Sequence, residues 1–567
     1  KNEQGAGHMA AGFAKQNDRK RIMAVTSSIG PGALNMVTAA GTATVNHIPV
    51  LFLPGDVFAS RQPDPVLQQV EDPADYTVTA NDAFKAVSRY WDRITRPEQT
   101  MTAMINAMRV LTDPAQMGAV TIALPQDVQG EAWDFPAEFF EKRVHHLDRR
   151  APSPGQLDRA LAMILAAKRP FVICGGGVRY SGAGRELAAF CAKFHIPFGE
   201  TQAGKGSVPW DNPYNLSGIG VTGSQASNRL AKKADLIIAL GTRLGDFTTC
   251  SKWLFQEPGA KILGINVASH DAYKMDAEPV VADAKLCLAA LTAKLGRKGY
   301  RSAWGGEIER ERGLWKAEVD RLYASEIPAP ESPGGQGLAQ VRALGELNEI
   351  LLPKSAVVVS GSGSIPSDMQ RTWRVRVPGT YHMEYGFSCM GYELAATLGA
   401  KLACPDRECV AIVGDGAYAM LHSELLTAVQ EGKKIIVVVL DNSGFQCIDN
   451  LQNSQGIEHF GNEWKRRDPA SGRLSGASIP VDFAKNAESW GAVGLRAGTV
   501  EEFRKAMRRA LRIKDRPVVV DAKVAPKSMS GGYESWWNVG TAQVAERKEV
   551  EAAAQAVEAE RKKARKY

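Results

Sequence analysis

Short runs of β-branched and other apolar residues alternate along this chain with stretches whose apolar positions recur at helical spacing. That alternation predicts parallel sheets covered by helices, an α/β chain throughout. In the first stretch an alanine-rich helix is expected over 7–15, with strands at 21–26, 50–53 and 119–123. The polar, proline-bearing segment 149–154 reads as a linker. A second stretch offers strands at 169–174, 236–240 and 261–265, each followed by glycine or a polar turn. The segment 327–336, rich in Pro, Gly and Ser, reads as a second linker. In the third stretch the pattern predicts a strand at 410–413, a helix at 419–430 and a strand at 435–440, while 541–567 reads as a lone charged helix. The expected division is therefore 1–148, 155–325 and 337–530, each a parallel-sheet domain, with 531–567 as a tail. The like order of strand, turn and helix in the first and third stretches suggests a duplicated fold.

At 567 residues the length fits several cores rather than one. A composition of 44% hydrophobic and 23% charged residues supports neither disorder nor a fibre. No apolar run approaches the roughly 20 residues a membrane span needs. The formal charge of +7 is inflated by a basic cluster at the C-terminal end, among alanines and glutamates. A solvated helix face accounts for it, because no basic stripe with interleaved aromatics marks a nucleic-acid surface. Eight scattered cysteines contain no Cys-x-x-Cys pair, so reduced thiols and a cytoplasmic location are expected. The first residue is Lys1, which suggests a missing upstream segment.

The chemistry concentrates in two polar turns. Gly414-Asp415-Gly416 follows the strand at 410–413, and Asp441-Asn442-Ser443-Gly444 follows the strand at 435–440. Consecutive parallel strands joined by a helix bring both turns to the carboxyl edge of one sheet, where open α/β sheets bind ligands. There an aspartate oxygen from Asp415, the amide oxygen of Asn442 and a backbone carbonyl, that of Gly444, would make a hard oxygen site of low charge. Such a site suits Mg²⁺ shared with phosphates. The glycines flanking Asp415 would let a diphosphate approach the backbone, favoured by the amino end of the following helix. A lone Gly-Asp-Gly is a weak signal, but 27 positions (442 minus 415) holding a helix and a strand make coincidence a poor account.

These residues resemble the signature of the thiamine diphosphate enzymes, the family of acetolactate synthases and pyruvate decarboxylases. Asp441 stands where that family usually carries Asn, but the metal ligand there is the second residue, Asn442. The resemblance covers nearly the whole chain. Asn2-Glu3-Gln4-Gly5-Ala6-Gly7-His8-Met9-Ala10 matches the segment whose glutamate, Glu3 here, hydrogen-bonds the cofactor's pyrimidine ring and promotes its activation. Gly30-Pro31-Gly32-Ala33-Leu34-Asn35 matches a turn of the same pyrimidine-binding domain. Gly386-Phe387-Ser388-Cys389-Met390-Gly391 matches the segment beneath the cofactor. It implies that Met390 wedges the two rings into their bent conformation and that the Ser388 carbonyl accepts from the exocyclic amine.

Ser360 to Ser364, with Ser362, Gly363 and Ser364 foremost, would touch the diphosphate beside Gly414, Asp415, Gly416 and Ala417. The resemblance thus implies thiamine diphosphate and Mg²⁺ as cofactors, with Asp415, Asn442 and Gly444 holding the metal. It also implies pyrimidine-binding, central and diphosphate-binding domains in that order, the first lacking its opening strand and helix. A homodimer or tetramer with active sites shared between subunits follows from the family's arrangement. Gly175-Gly176-Gly177 lacks the spacing of a dinucleotide fingerprint and is taken as structural.

Four dispersed segments narrow the resemblance to one branch: Ser27-Ser28-Ile29-Gly30-Pro31-Gly32, Leu53-Pro54-Gly55-Asp56-Val57-Phe58, Ser88-Arg89-Tyr90-Trp91-Asp92-Arg93-Ile94 and Tyr533-Glu534-Ser535-Trp536-Trp537. Members of that branch hydrolyse a carbon–carbon bond of a polyhydroxylated cyclic 1,2-dione during inositol catabolism. His8, Gln68 and Asp56 are candidates for positioning water and a proton. Two rivals stand beside this reading. An acetolactate synthase-like carboligase or decarboxylase of 2-oxo acids would share every cofactor residue. A non-enzymatic nucleotide-binding regulator would explain the sheets, but not Glu3, Asp415, Asn442 and Met390 together.

Overall fold

In the computed structural model, which describes residues 1–328 and 336–567, three parallel sheets follow one another along the chain. The first contains β1 (Ala24–Ser27), β2 (Val50–Asp56), β3 (Tyr90–Arg93) and β4 (Ala119–Pro125) in the order β1-β2-β4-β3. The middle sheet holds β5 (Pro170–Cys174), β6 (Phe198–Glu200), β7 (Asn215–Gly218), β8 (Leu236–Leu240), β9 (Lys261–Asn266) and β10 (Glu278–Val281), ordered β10-β9-β8-β5-β6-β7. Most of the linker expected at 327–336 lies outside the described residues. Its flanks, β11 (Ile327–Pro328) and β12 (Gln336–Gly337), pair antiparallel. The third sheet comprises β13 (Val357–Ser360), β14 (Tyr381–Met383), β15 (Cys409–Gly414), β16 (Ile436–Asp441), β17 (Val493–Ala497) and β18 (Val518–Lys523), ordered β14-β13-β15-β16-β18-β17.

The order β1-β2-β4-β3 repeats in β15-β16-β18-β17, the geometric form of the duplication suspected from sequence. Strands such as Ile436–Asp441 and Val518–Lys523 are buried almost end to end, as expected of a parallel sheet covered on both faces. The expected strands all form. The ones missed, such as the four-residue β3 with its Asp92 and Arg93 and the three-residue β6, are too short or too charged to stand out as apolar runs.

Two expectations about helices are corrected. The helix placed at 419–430 begins at Asp415 and breaks into Asp415–Met420 and Glu424–Gln430. Leu421 leaves helical geometry at φ −147° and turns its buried side chain against Gly391. Nor is the C-terminal helix alone: it spans Lys548–Arg561, and it buries Val550 and Val557. Its Glu560 Oε2 accepts from Trp253 Nε1 at 2.8 Å, so it is docked on the middle body.

The first and third bodies share a core. The helix Glu3–Gln16 crosses the helix Tyr392–Ala403 so closely that a Cβ on Gly12 would lie 2.5 Å from the Ala396 carbonyl oxygen, and one on Gly399 2.1 Å from that of Met9. Ala10, Ala14 and Phe52 from one side join Val357, Val359 and Ala396 from the other in a single apolar cluster.

Candidate active site

β15 and β16 are hydrogen-bonded neighbours, with Gly414 opposite Leu440, so the two polar turns meet at their carboxyl ends. The buried Asp415 carboxylate is the hub. Its Oδ1 accepts from the Gly416 amide at 2.7 Å, and its Oδ2 accepts from the amides of Gly444 at 2.9 Å and Asn442 at 3.2 Å. Burial, and then the neighbouring Asp441 carboxylate, push Asp415 up to about 8, because both disfavour a second negative charge there. Asn442 Oδ1 is buried without a hydrogen-bond partner among the described residues. A desolvated carboxylate beside an uncommitted amide oxygen fits a hard divalent cation, whose charge would relieve the first and whose coordination would satisfy the second. Asp441 is otherwise engaged: Oδ1 accepts from the Ser443 amide at 2.9 Å, and Oδ2 pairs with Lys523. Lys523 also reaches Asp521 Oδ2 at 3.0 Å.

The Ser362 and Met390 segments are brought together by a residue the sequence reading missed. Glu393, fully buried, accepts from the Ser362 amide through Oε1 at 3.2 Å and from the Gly391 amide through Oε2 at 3.0 Å. Burial pushes its carboxyl up to about 7. A second buried glutamate, Glu384, accepts from the amides of Phe387 and Cys389 at 2.9 Å each, and from Asn46 Nδ2 at 2.8 Å. Together they shape the loop on which Ser388 is exposed and Met390 is half-buried against the core that includes Tyr418. A signal existed for Glu393: a charge inside a helix of small apolar residues has no exposed face to occupy and must be hydrogen-bonded.

Gly363 precedes the helix Ser364–Thr372, whose first hydroxyl, on Ser364, donates to Gln340 Oε1 at 3.1 Å. Ala417 lies buried in the helix that Asp415 opens. The Ser360 hydroxyl donates to the Ile412 carbonyl at 2.8 Å, between β13 and β15.

Glu3 sits in the first turn of its helix, capped by Asn2. Its Oε2 accepts from Asn35 Nδ2 at 2.8 Å, which joins the two matched segments of the first body. Glu424 Oε1 of the third body accepts from the Asn2 amide at 3.0 Å. Gln4 Nε2 lies 3.3 Å from Cys389 Sγ, and His8 Nε2 lies 3.4 Å from the same sulfur. The start of this helix therefore borders the Met390 loop, although among the described residues no hydrogen bond joins Glu3 to Asp415 or Asn442.

Of the three residues considered for water and proton handling, only His8 lies beside that loop. Burial holds its imidazole down at about 3, so it is neutral near pH 7. Asp56 is locked to Arg93 Nε at 2.8 Å. Gln68 is exposed, and its backbone carbonyl occupies the space a side chain at Gly30 would need. The amides of Gly175 and Gly177 bond to the carbonyls of Leu240 and Gly241, joining two strand ends of the middle sheet.

Three family descriptions match the chain in order: "Thiamine pyrophosphate enzyme, N-terminal TPP binding domain" over residues 1–76, "central domain" over 157–291 and "C-terminal TPP binding domain" over 361–522. Among curated proteins, the 3D-(3,5/4)-trihydroxycyclohexane-1,2-dione hydrolase of Clostridium tetani is 51% identical over 583 residues. The protein of Bacillus anthracis with the same name is 51% identical over 584 residues, and hydrolase 2 of Bacillus cereus is 52% identical over 584. Each alignment covers 100% of this chain and 90% of the relative.

Proposed function

The chain belongs to the thiamine pyrophosphate enzymes, and from that premise we propose that it hydrolyses a carbon–carbon bond of 3D-(3,5/4)-trihydroxycyclohexane-1,2-dione, giving 5-deoxyglucuronate in myo-inositol catabolism. The observation that carries this reading over a carboligase is that proteins so named match the whole chain, both site turns included. Net, one water is consumed. Its oxygen ends in the carboxylate formed at one carbonyl carbon, a proton replaces the broken bond at the other, and the ring opens to one chain bearing acid and aldehyde. Thiamine diphosphate, when bound, supplies the carbon nucleophile and electron sink that this cleavage needs.

The chain's own residues bind and orient. Asp415, Asn442 and the Gly444 carbonyl would hold Mg²⁺ beside the cofactor's diphosphate, a role supported by the unpartnered Asn442 Oδ1. Ser362, Gly363, Ser364, Gly414, Gly416 and Ala417 line the diphosphate's path, with Glu393 keeping the Ser362 and Gly391 backbones in register. Met390 and the Ser388 carbonyl support the pyrimidine ring. Glu3, the catalytic carboxylate of this proposal, holds a proton at a ring nitrogen, steadied by Asn35. His8, kept neutral by burial, is the one candidate placed to orient water beside the Met390 loop.

The same proposal divides the chain into a pyrimidine-binding domain (1–148), a central domain (155–325), a diphosphate-binding domain (337–530) and a tail (531–567). It takes the assembly to be a homodimer or tetramer with shared sites in the cytoplasm, without nucleic acid. Exposed apolar side chains, Leu34 at 40% and Phe387 at 43% on matched segments and Met420 at 55% at the end of the helix that Asp415 opens, support a partner surface there. The eight free cysteines suit a reducing compartment. Among the described residues no helix is long and apolar enough to cross a membrane. The deciding assay offers the ring dione and pyruvate separately. Formation of an acid-aldehyde from the dione, with no acetolactate from pyruvate, is expected; the reverse outcome overturns the reading.

A further inference from the structure

Away from the Asp415 turn, a cleft of about 50 Å³ opens where the β6–β7 edge of the middle sheet meets the helix Glu307–Tyr323 and the end of the helix Ser364–Thr372. A single water needs roughly 10–15 Å³ on this measure, so the space takes a group of several heavy atoms. Its charged lining is Lys205, Arg312, Lys316, Arg371 and Arg374 against Glu200. Three of the cations have a carboxylate within 4 Å: Lys205 with Glu200 at 3.8 Å, Arg371 with Asp368 at 3.8 Å, and Arg374 with Asp320. Arg312 and Lys316 have none among the described residues, and the only side-chain bond of Arg312 goes to the Asp211 carbonyl.

Buried donors are left over as well. Arg371, only 7% exposed, donates through Nη1 to Ser530 Oγ and through Nη2 to the Val221 carbonyl, both at 3.0 Å, but among the described residues its Nε has no partner, nor has Trp210 Nε1. Lys205, 4% exposed, satisfies its ammonium with a 3.4 Å contact to Ser217 Oγ and the distant Glu200. An ammonium taken out of water with so few acceptors is costly unless an anion shares the site. Surplus positive charge and unpaired buried N–H groups beside a small open cleft suit an oxyanion.

We propose that this cleft binds a small oxyanion of phosphate or carboxylate size, held by Lys205, Arg312, Lys316 and Arg371. The proposal stands apart from the reading of the Asp415 site, since none of these residues belongs to it. The phosphate can be free or the terminal group of a nucleotide, and the tryptophan walls, Trp210, Trp315 and Trp373, leave room for the distinction to be measured.

The protein is first saturated with thiamine diphosphate and Mg²⁺, so that the Asp415 turn takes up no added phosphate. It is then titrated with inorganic phosphate, acetate and AMP at constant ionic strength, following tryptophan fluorescence and heat. A saturable signal with at least one oxyanion is expected, weakened about tenfold or more by Arg312→Glu and by Lys316→Glu. Lys316 is exposed and Arg312 is half-buried with a bond to the Asp211 carbonyl, so Lys316→Glu should leave the melting temperature unchanged and Arg312→Glu should change it little. Tighter binding of AMP than of phosphate would identify a nucleotide source, and the reverse a free anion; both support the site. A response matched by sodium chloride, or equal affinity in both charge-reversed variants, overturns it.

Discussion

Asp415 carries the sharpest consequence at the scale of single residues. Its carboxyl titrates near 8 in the fold against a reference of 3.8, so it is raised. Below about pH 4 both folded and unfolded chains hold the proton. Between there and about 8 the unfolded state releases it while the folded state keeps it, so folding of the cofactor-free protein loses stability as pH rises through this window. Asp415→Asn should therefore melt higher than the native protein at pH 8 without metal, with the gap closing as pH falls toward 5; scanning calorimetry across that range checks it. With cofactor and Mg²⁺ the order reverses. Asp415→Ala and Asn442→Ala should each weaken cofactor binding by about tenfold or more in calorimetric titration, since each would remove a proposed oxygen ligand. Unchanged affinity in both would dismiss the metal assignment. Glu3→Gln preserves shape and the Asn35 contact while losing a titrating group. Cofactor binding should persist, whereas exchange of the cofactor's thiazolium proton into deuterium oxide, read by proton NMR, should slow by orders of magnitude.

Loops and helices matter through the buried Glu393. Glu393 links the segment that opens the helix Ser364–Thr372 to the loop carrying Met390, and nothing in the local propensity of either loop specifies their separation. Glu393→Leu would leave two buried amides unpaired, at about 1–3 kcal/mol each. It should lower the melting temperature by several degrees and weaken cofactor binding about tenfold. Glu393→Gln, which keeps the shape and one acceptor oxygen, should fall between the two. Equal cofactor affinity in all three proteins would reduce Glu393 to a packing role. The same elements show how far pattern reading goes. The turn sequence at Asp415 and Asn442 was legible because parallel strands bring such turns to one edge. The break at Leu421 was not, since it answers to Gly391, thirty positions earlier (421 minus 391).

For the molecule as a whole, the question is whether the proposed site is completed within one chain or shared between subunits. If the sites are shared, mixing two inactive variants, Glu3→Gln and Asp415→Ala, should restore partial activity, because one site of each mixed dimer is then intact. Subunit exchange is established first by tagged pull-down. Exchanged heterodimers that stay inactive would mean that each chain completes its own site. That alternative has a structural footing in the contacts of Gln4 and His8 with Cys389 of the same chain.

The sequence by itself determined the fold class, the three sheets, the cofactor family and the meeting of the two polar turns, because each is written in local pattern: apolar runs, glycine turns, and a strand and helix between Asp415 and Asn442. Tertiary structure alone decided which polar residues are free to act. Asp56, Ser360 and Asp441 look as available in the sequence as Asp415 and Asn442, yet Arg93, the Ile412 carbonyl and Lys523 engage them. Glu393 and the cationic cleft arise from groups far apart along the chain. Hydrogen bonding and desolvation depend on neighbours in space, and a linear sequence does not state them.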